Sequence, residues 1–367
     1  MTTFLIAVGT LCAICVGLSL VLVVADRYLS DYGRCRITIN GGSRSLDVRG
    51  GQSLLNALGG EKIFIPSACG GRGTCGLCKL RVRSGGGPVL PTEDPHLTAD
   101  ERRDGVRLSC QVKVRNDLDI EIPEHLFSVR EFAASVETME DLTYDTKRVR
   151  LALVAPPEIA FVPGQYIQLQ CPAYGDNPEP VYRAYSLSSD PADPRHAEML
   201  IRLVPKGICT TWVFTRLKPG TPVTFNGPYG DFRLHDGTGE MIFIAGGSGM
   251  APFCSILAAM RQAGNPRPTR YFFGAKAVRD LFLLDEMKRF ESDLPDFRFI
   301  PALSAPDPTD LWNGERGLIT DVVGRHYPDC RDKQAYLCGS PGMIDACINV
   351  LSGRGMPPEN IFYDKFA

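Results

Sequence analysis

Residues 65–87, IPSACGGRGTCGLCKLRVRSGGG, place three cysteines, Cys69, Cys75 and Cys78, in one glycine-rich loop. A fourth cysteine, Cys110, extends the spacing to C-x5-C-x2-C-x31-C. Iron–sulfur clusters are held by four thiolates, three of which can come from a single loop. Glycines allow the backbone to adopt positive φ and to aim N–H groups at the sulfurs. We therefore predict that these four cysteines bind a [2Fe–2S] cluster.

A structural zinc site with four cysteine ligands is the alternative interpretation of this pattern. Zinc ribbons usually contain two well-separated CxxC pairs, whereas this loop contains only the pair Cys75 and Cys78. The plant-type iron–sulfur spacing has four residues in its first gap, so five residues make the loop a close variant. The loop arrangement favours [2Fe–2S] over zinc.

The sequence around this loop predicts a small β-rich domain, residues 31–126. Alternating apolar and polar residues indicate strands at 36–40, 44–48, 79–83, 107–114 and 118–122. A short helix is expected at 53–58, and Pro123 marks the end of the domain.

Two further domains are expected downstream. Residues 127–236 contain short strands separated by turns, at 148–153, 165–169, 183–187, 199–204 and 222–226, which is typical of an antiparallel sandwich or barrel. Residues 237–367 contain apolar strands at 241–245, 270–274, 298–303 and 334–338, each separated from the next by helical stretches. That βαβ repetition predicts an α/β domain with a parallel, Rossmann-like sheet.

The N-terminus carries an apolar run, FLIAVGTLCAICVGLSLVLVVA, over residues 4–25 without a charge. A helix of this length spans the ~30 Å hydrocarbon core of a bilayer. A cleaved signal peptide is the alternative, but no Lys or Arg precedes the run, which also exceeds the ~7–15 residues of a signal core. Because Arg27, Arg34 and Arg36 follow closely, the bulk of the chain is expected in the cytoplasm. Residues 1–30 are thus predicted to be a single-pass transmembrane anchor in the cell inner membrane.

Composition excludes some classes of function. The 367 residues carry a formal net charge of −2, which gives no electrostatic reason to expect nucleic acid as a partner. The thirteen cysteines are odd in number and mostly scattered, unlike a secreted disulfide framework. A reducing compartment is therefore favoured.

A candidate flavin site lies in the middle domain. In Arg183-Ala184-Tyr185-Ser186, the arginine can neutralise a pyrophosphate, the tyrosine offers a flat face to an isoalloxazine ring, and the serine can bond flavin N5. Surface and packing roles are the alternative for such residues in a strand. A second segment, with a glycine, hydroxyls and the start of a helix, could bind phosphate oxygens. It contains Lys206, Gly207, Thr210 and Thr211.

A candidate nicotinamide site lies in the last domain. Gly247, Ser248, Gly249 and Pro252 follow a strand and open a helix, the context that a glycine-rich dinucleotide turn requires. An ordinary turn capped by Ser248 is the alternative. The segment 338–341, CGSP, ends a later strand at the edge where α/β ligand crevices lie. It supplies Cys338 and Gly339, although a buried structural thiol is the alternative for this cysteine.

The order of these motifs resembles the ferredoxin–NADP reductase superfamily. With the N-terminal anchor and the cysteine loop, the chain is most similar to the F subunits of sodium-translocating NADH:quinone reductases. The resemblance implies a multidomain protein, consisting of a transmembrane helix, a β-grasp (α+β) ferredoxin domain, an antiparallel β-barrel flavin domain and an α/β nicotinamide domain. It implies FAD, [2Fe–2S] and NADH as cofactors. One departure is that F subunits carry a long insertion before the flavin arginine, where residues 170–183 form a short loop here.

The resemblance also assigns residues. It places Arg183, Tyr185, Ser186 and Thr211 at the flavin, and Ser248 and Cys338 near the nicotinamide. The ending YDKFA, residues 363–367, is similar to the family's acidic-Phe terminus, which places Phe366 against the isoalloxazine opposite Tyr185. Ser186, Cys338 and Phe366 are accordingly expected at the reacting centre.

The expected function is the electron-input subunit of a respiratory, ubiquinone-reducing complex. Hydride passes from NADH to FAD, and single electrons pass through the cluster to membrane subunits of a redox complex or to another one-electron acceptor. The cofactors carry this chemistry while the protein positions and tunes them, so no catalytic acid–base pair is expected. The alternatives are the reductase component of an oxygenase system and a non-enzymatic electron-transfer or assembly module.

Overall fold

The structure is a computed structural model that describes residues 2–29, 32–175 and 177–366. The chain divides into two compact units. The first comprises the chain up to Ile65 together with Gly71–Ser128, and the second comprises Pro66–Gly70 together with the chain from Val129 onward.

The predicted anchor coincides with helix α1, Thr2–Leu29; residues 1 and 30 lie outside the described part of the chain. Its apolar side chains are exposed, including Leu11, Leu18 and Leu22. Judged on the residues that the structure describes, no helix has the length and apolar character needed to cross a membrane. The predicted spanning helix is therefore not confirmed.

The first unit contains a mixed five-stranded sheet. Its strands are β1 (Arg34–Ile39), β2 (Arg44–Arg49), β3 (Lys79–Ser84), β4 (Val106–Leu108) and β5 (Leu118–Glu121), in the order β2-β1-β5-β3-β4. Two helices accompany it, α2 (Leu54–Gly60) and α3 (Ala99–Arg103). Strand β1 is parallel to β5 and antiparallel to β2, so the sheet is mixed. The strand predicted at 107–114 ends earlier, at Leu108, because the backbone turns there and Gln111 N–H donates to Leu108 O (2.8 Å).

The second unit begins with an antiparallel barrel. Its strands are β6 (Arg130–Thr143), β7 (Thr146–Ala155), β8 (Tyr166–Cys171), β9 (Val181–Ser186), β10 (His196–Arg202) and β11 (Pro222–Tyr229), with helix α4 (Ile208–Thr215) before β11. The strand order is β10-β7-β6-β11-β8-β9. A bridge between Leu187 and Met199 links the two ends of the sheet. The structure confirms an antiparallel barrel and adds the long strand β6, which the sequence pattern did not indicate.

A parallel sheet with helices on both faces completes the second unit. Its strands are β12 (Met241–Gly246), β13 (Thr269–Ala275), β14 (Phe297–Leu303), β15 (Glu315–Arg316), β16 (Gln334–Gly339) and β17 (Ile361–Lys365). Its helices are α5 (Ala251–Gln262), α6 (Leu284–Asp293), α7 (Ile319–His326) and α8 (Pro341–Gly353). Strand β12 is apolar throughout because it is buried on both faces. Phe243 packs into one apolar cluster, whereas Ile242 and Ile244 pack into the other.

The strand order of this sheet, β15-β14-β13-β12-β16-β17, reverses beside β12. The chain runs outward from β12 to β13 and β14, and later returns to place β16 on the other side of β12. Ligands of open α/β sheets bind at the carboxyl ends of the strands at such a reversal. The crevice is therefore expected where β12 and β16 end, at Gly246 and Gly339.

Candidate cofactor sites

The cysteine loop adopts the backbone conformation that its glycines predict. Gly70, Gly71, Gly73 and Gly76 have φ values of +66°, +88°, +75° and +69°. This left-handed region is open to glycine at no steric cost. At three of these glycines, a larger residue would also clash with its surroundings. A Cβ on Gly73 would lie 2.8 Å from Gln111 Nε2, and one on Gly76 would lie 2.8 Å from His96 Nδ1. A Cβ on Gly70 would overlap a neighbouring side chain.

The neighbouring Cys110 thiol, through hydrogen bonding, and then burial raise the pKa of the Cys78 thiol well above its ordinary value. Gln111 Nε2 donates to Cys110 Sγ (3.5 Å), and Cys69 and Cys78 are buried. In the described ranges, no three or more His, Cys, Asp or Glu side chains are already gathered as a metal site. The donor chemistry, thiols in a loop of positive-φ glycines, fits a [2Fe–2S] cluster.

Three of the predicted flavin residues lie on strand β9. Arg183 and Tyr185 share one face because side chains alternate along a strand, and they stand opposite Leu169 and Ile167 of β8. Arg183 Nη1 donates to Tyr182 O (2.7 Å). Burial raises the pKa of the Tyr185 hydroxyl well above its ordinary value, and Ser186 is buried at the end of the strand.

The second segment that was predicted to bind the flavin forms the N-terminus of helix α4. Gly207 is the N-cap, and a Cβ there would lie 2.6 Å from Thr210 Oγ1. Thr210 is buried, and its hydroxyl accepts from Val204 N–H (3.2 Å) and lies within hydrogen-bonding distance of Val204 O (3.3 Å). The Thr210 hydroxyl therefore already bonds the backbone of the turn that precedes α4. Lys206 is exposed and Thr211 is half-buried in the first turn.

The two predicted nicotinamide segments meet in the structure. Gly249 packs so closely on the backbone of Cys338 that a Cβ there would overlap its carbonyl group. Gly247 has φ +56° and Gly339 has φ +145°. Pro252 lies in the first turn of α5, whose N-cap is Met250, so Ser248 is not the capping residue. The glycine turn after β12 and the end of β16 are therefore in direct backbone contact.

The C-terminal strand adds a residue that the sequence analysis did not assign. Asp364 of β17 stands opposite Cys338 of β16. Burial and then the carboxylate of Asp364 raise the pKa of Cys338, and burial raises the pKa of Asp364 to about 6. Phe366 N–H donates to Gly339 O (2.9 Å), and its side chain packs against the apolar cluster that includes Cys338. The acidic-Phe ending was the only sequence signal for this aspartate.

Family models match three successive parts of the chain. Residues 37–115 match a 2Fe-2S iron-sulfur cluster binding domain, residues 133–234 an oxidoreductase FAD-binding domain, and residues 243–348 an oxidoreductase NAD-binding domain. Together with the barrel and the parallel sheet, these matches define a three-cofactor oxidoreductase that uses FAD, [2Fe–2S] and NADH.

Relatives give the particular family. The F subunit of the Na(+)-translocating NADH-quinone reductase of Pseudomonas aeruginosa is 36% identical over 400 residues, covering 98% of both chains. The F subunit of the Neisseria meningitidis enzyme is 35% identical over 389 residues, covering 95% of this chain and 96% of the relative. The chain belongs to the family of these F subunits and is an NADH-dependent oxidoreductase.

Solved structures show the same architecture. The Amycolatopsis cytochrome P450 reductase GcoB is similar with a TM-score of 0.72 and 32% identity, covering 90% of this chain and 98% of that one. A ferredoxin reductase in carbazole 1,9a-dioxygenase has a TM-score of 0.70 and 26% identity, and the match covers 91% of this chain and 99% of that one.

Proposed function

We propose that this chain is the electron-input subunit of a membrane-bound NADH:quinone reductase. It takes hydride from NADH and delivers single electrons, through the flavin and the cluster, to membrane subunits of the same complex. The observation that carries the proposal is likeness along nearly the whole chain: the match to the Pseudomonas F subunits covers 98% of it, whereas the match to GcoB covers 90%.

The proposal assigns the cofactors to named residues. Four thiols would hold the cluster, and β9 with the start of α4 would hold FAD. The edge of the parallel sheet where β12 and β16 end would hold the nicotinamide, with Phe366 covering the flavin when no nicotinamide is bound. FAD accepts a hydride pair and can release it one electron at a time. The cluster ligands are Cys69, Cys75, Cys78 and Cys110, and the flavin residues are Arg183, Tyr185, Ser186 and Thr211.

Single-pass attachment to the cell inner membrane, with the bulk of the chain in the cytoplasm, is part of the proposal. It is supported by the uncharged run at residues 4–25 and by Arg27, Arg34 and Arg36 after it. Along α1, apolar side chains point outward in every direction, as Leu20 (66% exposed) and Leu22 (68% exposed) illustrate. A surface of this kind needs lipid or other apolar partners to cover it.

A second candidate function is the reductase component of an oxygenase system. The connection between β8 and β9 is short, residues 172–180, and the alignment with the Pseudomonas aeruginosa relative spans 400 positions against the 367 residues of this chain. The relatives therefore contain sequence that this chain lacks. The likeness to GcoB at 32% identity favours the same alternative.

Isolation from native membranes distinguishes the two candidates. The C-terminally tagged chain should copurify with membrane subunits and support NADH:ubiquinone reduction. A matched variant without residues 2–29 should retain NADH–ferricyanide activity but lose quinone reduction. Recovery of the full-length chain in the soluble fraction, or together with an oxygenase, would contradict the proposal.

A further inference from the structure

Five residues of the cysteine loop, Pro66–Gly70, are grouped with the second unit. This segment contains Cys69, the first of the four proposed cluster ligands. Two of its residues contact barrel strands that carry flavin residues: Ser67 contacts β8, and Gly70 contacts β9. The segment is thus attached at two points.

The first point of attachment is a buried amide. Ser67 N–H donates to Gln168 Oε1 (3.0 Å), and both residues are about 3% exposed. Gln168 Nε2 in turn donates to Asn226 Oδ1 (3.1 Å), which also accepts from the Tyr229 hydroxyl (2.7 Å). Gln168 stands opposite Ala184 of β9 and Asn226 of β11. One side chain therefore connects the Cys69 segment to two strands of the flavin domain.

The second point is a close backbone approach at Gly70. A Cβ on this residue would overlap the Arg183 guanidinium and would lie 2.7 Å from Tyr182 O. Because Gly70 also has φ +66°, it is constrained by both conformation and space. The guanidinium of the flavin arginine rests on the residue that follows Cys69.

We infer that Gln168 and Gly70 are positioning residues for electron transfer from the flavin to the cluster. They hold the segment that carries Cys69 against the strands that carry the flavin residues. Each transfer removes one electron from the reduced flavin and adds it to the oxidised cluster, and no bond forms or breaks. The inference rests on the proposed function. The rate of electron transfer falls as the distance between the two cofactors grows, so displacing the Cys69 segment from these strands should slow it.

The test compares Gln168→Leu with Gln170→Leu in the full chain with both cofactors. Gln170 is two residues along the same strand and donates instead to the Tyr182 hydroxyl (2.9 Å), so it is a matched control. In Gln168→Leu, the Ser67 N–H loses its acceptor, Gln168 Oε1. Hydrogen exchange of the Ser67 amide should then be about tenfold faster, because one buried hydrogen bond contributes about 1 kcal/mol or slightly more. Rapid-freeze EPR should show cluster reduction that is slower than in the wild type. Flavin reduction by NADH and the potentials of both cofactors should be unchanged, and Gln170→Leu should resemble the wild type.

Gly70→Ala provides an independent variant should Gln168→Leu fail to fold. It should displace the Arg183 guanidinium and slow cluster reduction while flavin reduction by NADH persists. The inference is overturned if cluster reduction keeps its wild-type rate in these variants, or if Ser67 exchange is unchanged in Gln168→Leu. A wild-type chain whose cluster is never reduced by NADH would instead contradict the proposed function.

Discussion

Arg202 Nε donates to Asp145 Oδ2 at 2.7 Å, and this ion pair fixes the arginine beside the glycine turn of the nicotinamide domain. A Cβ on Gly247 would lie 3.0 Å from Arg202 Nη1. The other Asp145 oxygen accepts from the hydroxyls of Thr143 (2.9 Å) and Thr146 (3.1 Å). Although burial opposes it, the Arg202 bond lowers the pKa of Asp145. The carboxylate thus holds a cation where glycine-rich turns bind a pyrophosphate.

Arg202→Ala should weaken NADH binding. Hydrogen bonds to charged groups contribute about 1.5–3 kcal/mol, or about tenfold to a hundredfold in KM. The value of kcat should change much less, because the lost contact is remote from the hydride. Arg195→Ala is a suitable control, since its side chain is 76% exposed. Steady-state NADH–ferricyanide kinetics measure both, and an unchanged KM would refute this role.

The buried ion pair of Glu93 and Arg107 should be essential to the first unit. Glu93 is 0% exposed, and Arg107 donates to it through Nε (2.9 Å) and Nη2 (2.6 Å). Removing one partner of such a pair costs about 3–5 kcal/mol. Arg107→Ala should therefore reduce cluster content, measured as acid-labile sulfide per flavin, while FAD binding persists. The control is Arg103→Ala, whose partner Asp100 is 80% exposed; equal cluster loss in both variants would contradict the expectation.

This pair also has a defined pH dependence. Burial opposes ionisation of Glu93, but hydrogen bonds from Arg107 lower its pKa below the ordinary value of 4.5. A lowered carboxyl pKa contributes stability that is present above the unfolded value and is lost as pH falls through the folded value. The difference in free energy of unfolding between the wild type and Arg107→Ala should therefore shrink below that pH. The part that remains comes from the Arg107 bonds to the carbonyls of Gly86, Gly87 and Pro88.

Local pattern predicted most of the architecture, and tertiary contacts account for the rest. The apolar run of β12 and the glycines after it indicated a parallel sheet with a dinucleotide turn, and the contact of Gly249 with Cys338 agrees. Strand β6, REFAASVETMEDLT, was missed because its many charged and small residues obscure the alternation. Arg202 and Asp145 were missed because they are 57 residues apart, and only the pairing of β7 with β10 brings their strands together. Contacts between residues that are far apart in the sequence leave no pattern in either local segment.

Phe366→Ala should change nicotinamide affinity while FAD stays bound. The backbone of Phe366 is bonded to Gly339 O (2.9 Å) at the end of β16, so the ring is held at the crevice rather than on a free tail. Offset aromatic stacking contributes about 0.5–1.5 kcal/mol beyond burial, which is small enough for a nicotinamide ring to displace it. Tyr363→Ala is the control, because Tyr363 lies on β17, three residues before Phe366, and is 50% exposed. NADH kinetics and a flavin spectrum identical to wild type in Phe366→Ala would show that the ring has no role.

Asp364 should make the second unit less stable as pH rises, because burial raises its pKa from 3.8 to about 6. Between these values the folded chain binds the proton more tightly than the unfolded chain, so the free energy of unfolding falls with rising pH. A shift of about two units corresponds to roughly 3 kcal/mol once the carboxyl is ionised in both states. Asp364→Asn removes the charge and keeps the shape. The free energy of unfolding of Asp364→Asn should therefore equal that of the wild type near pH 4. Above pH 7 it should be higher than that of the wild type by up to roughly 3 kcal/mol. Thermal unfolding followed by flavin fluorescence measures the difference, with Asp332→Asn, at an exposed position, as the control. A stability gain that is the same at every pH would show that the carboxyl does not titrate as its burial requires.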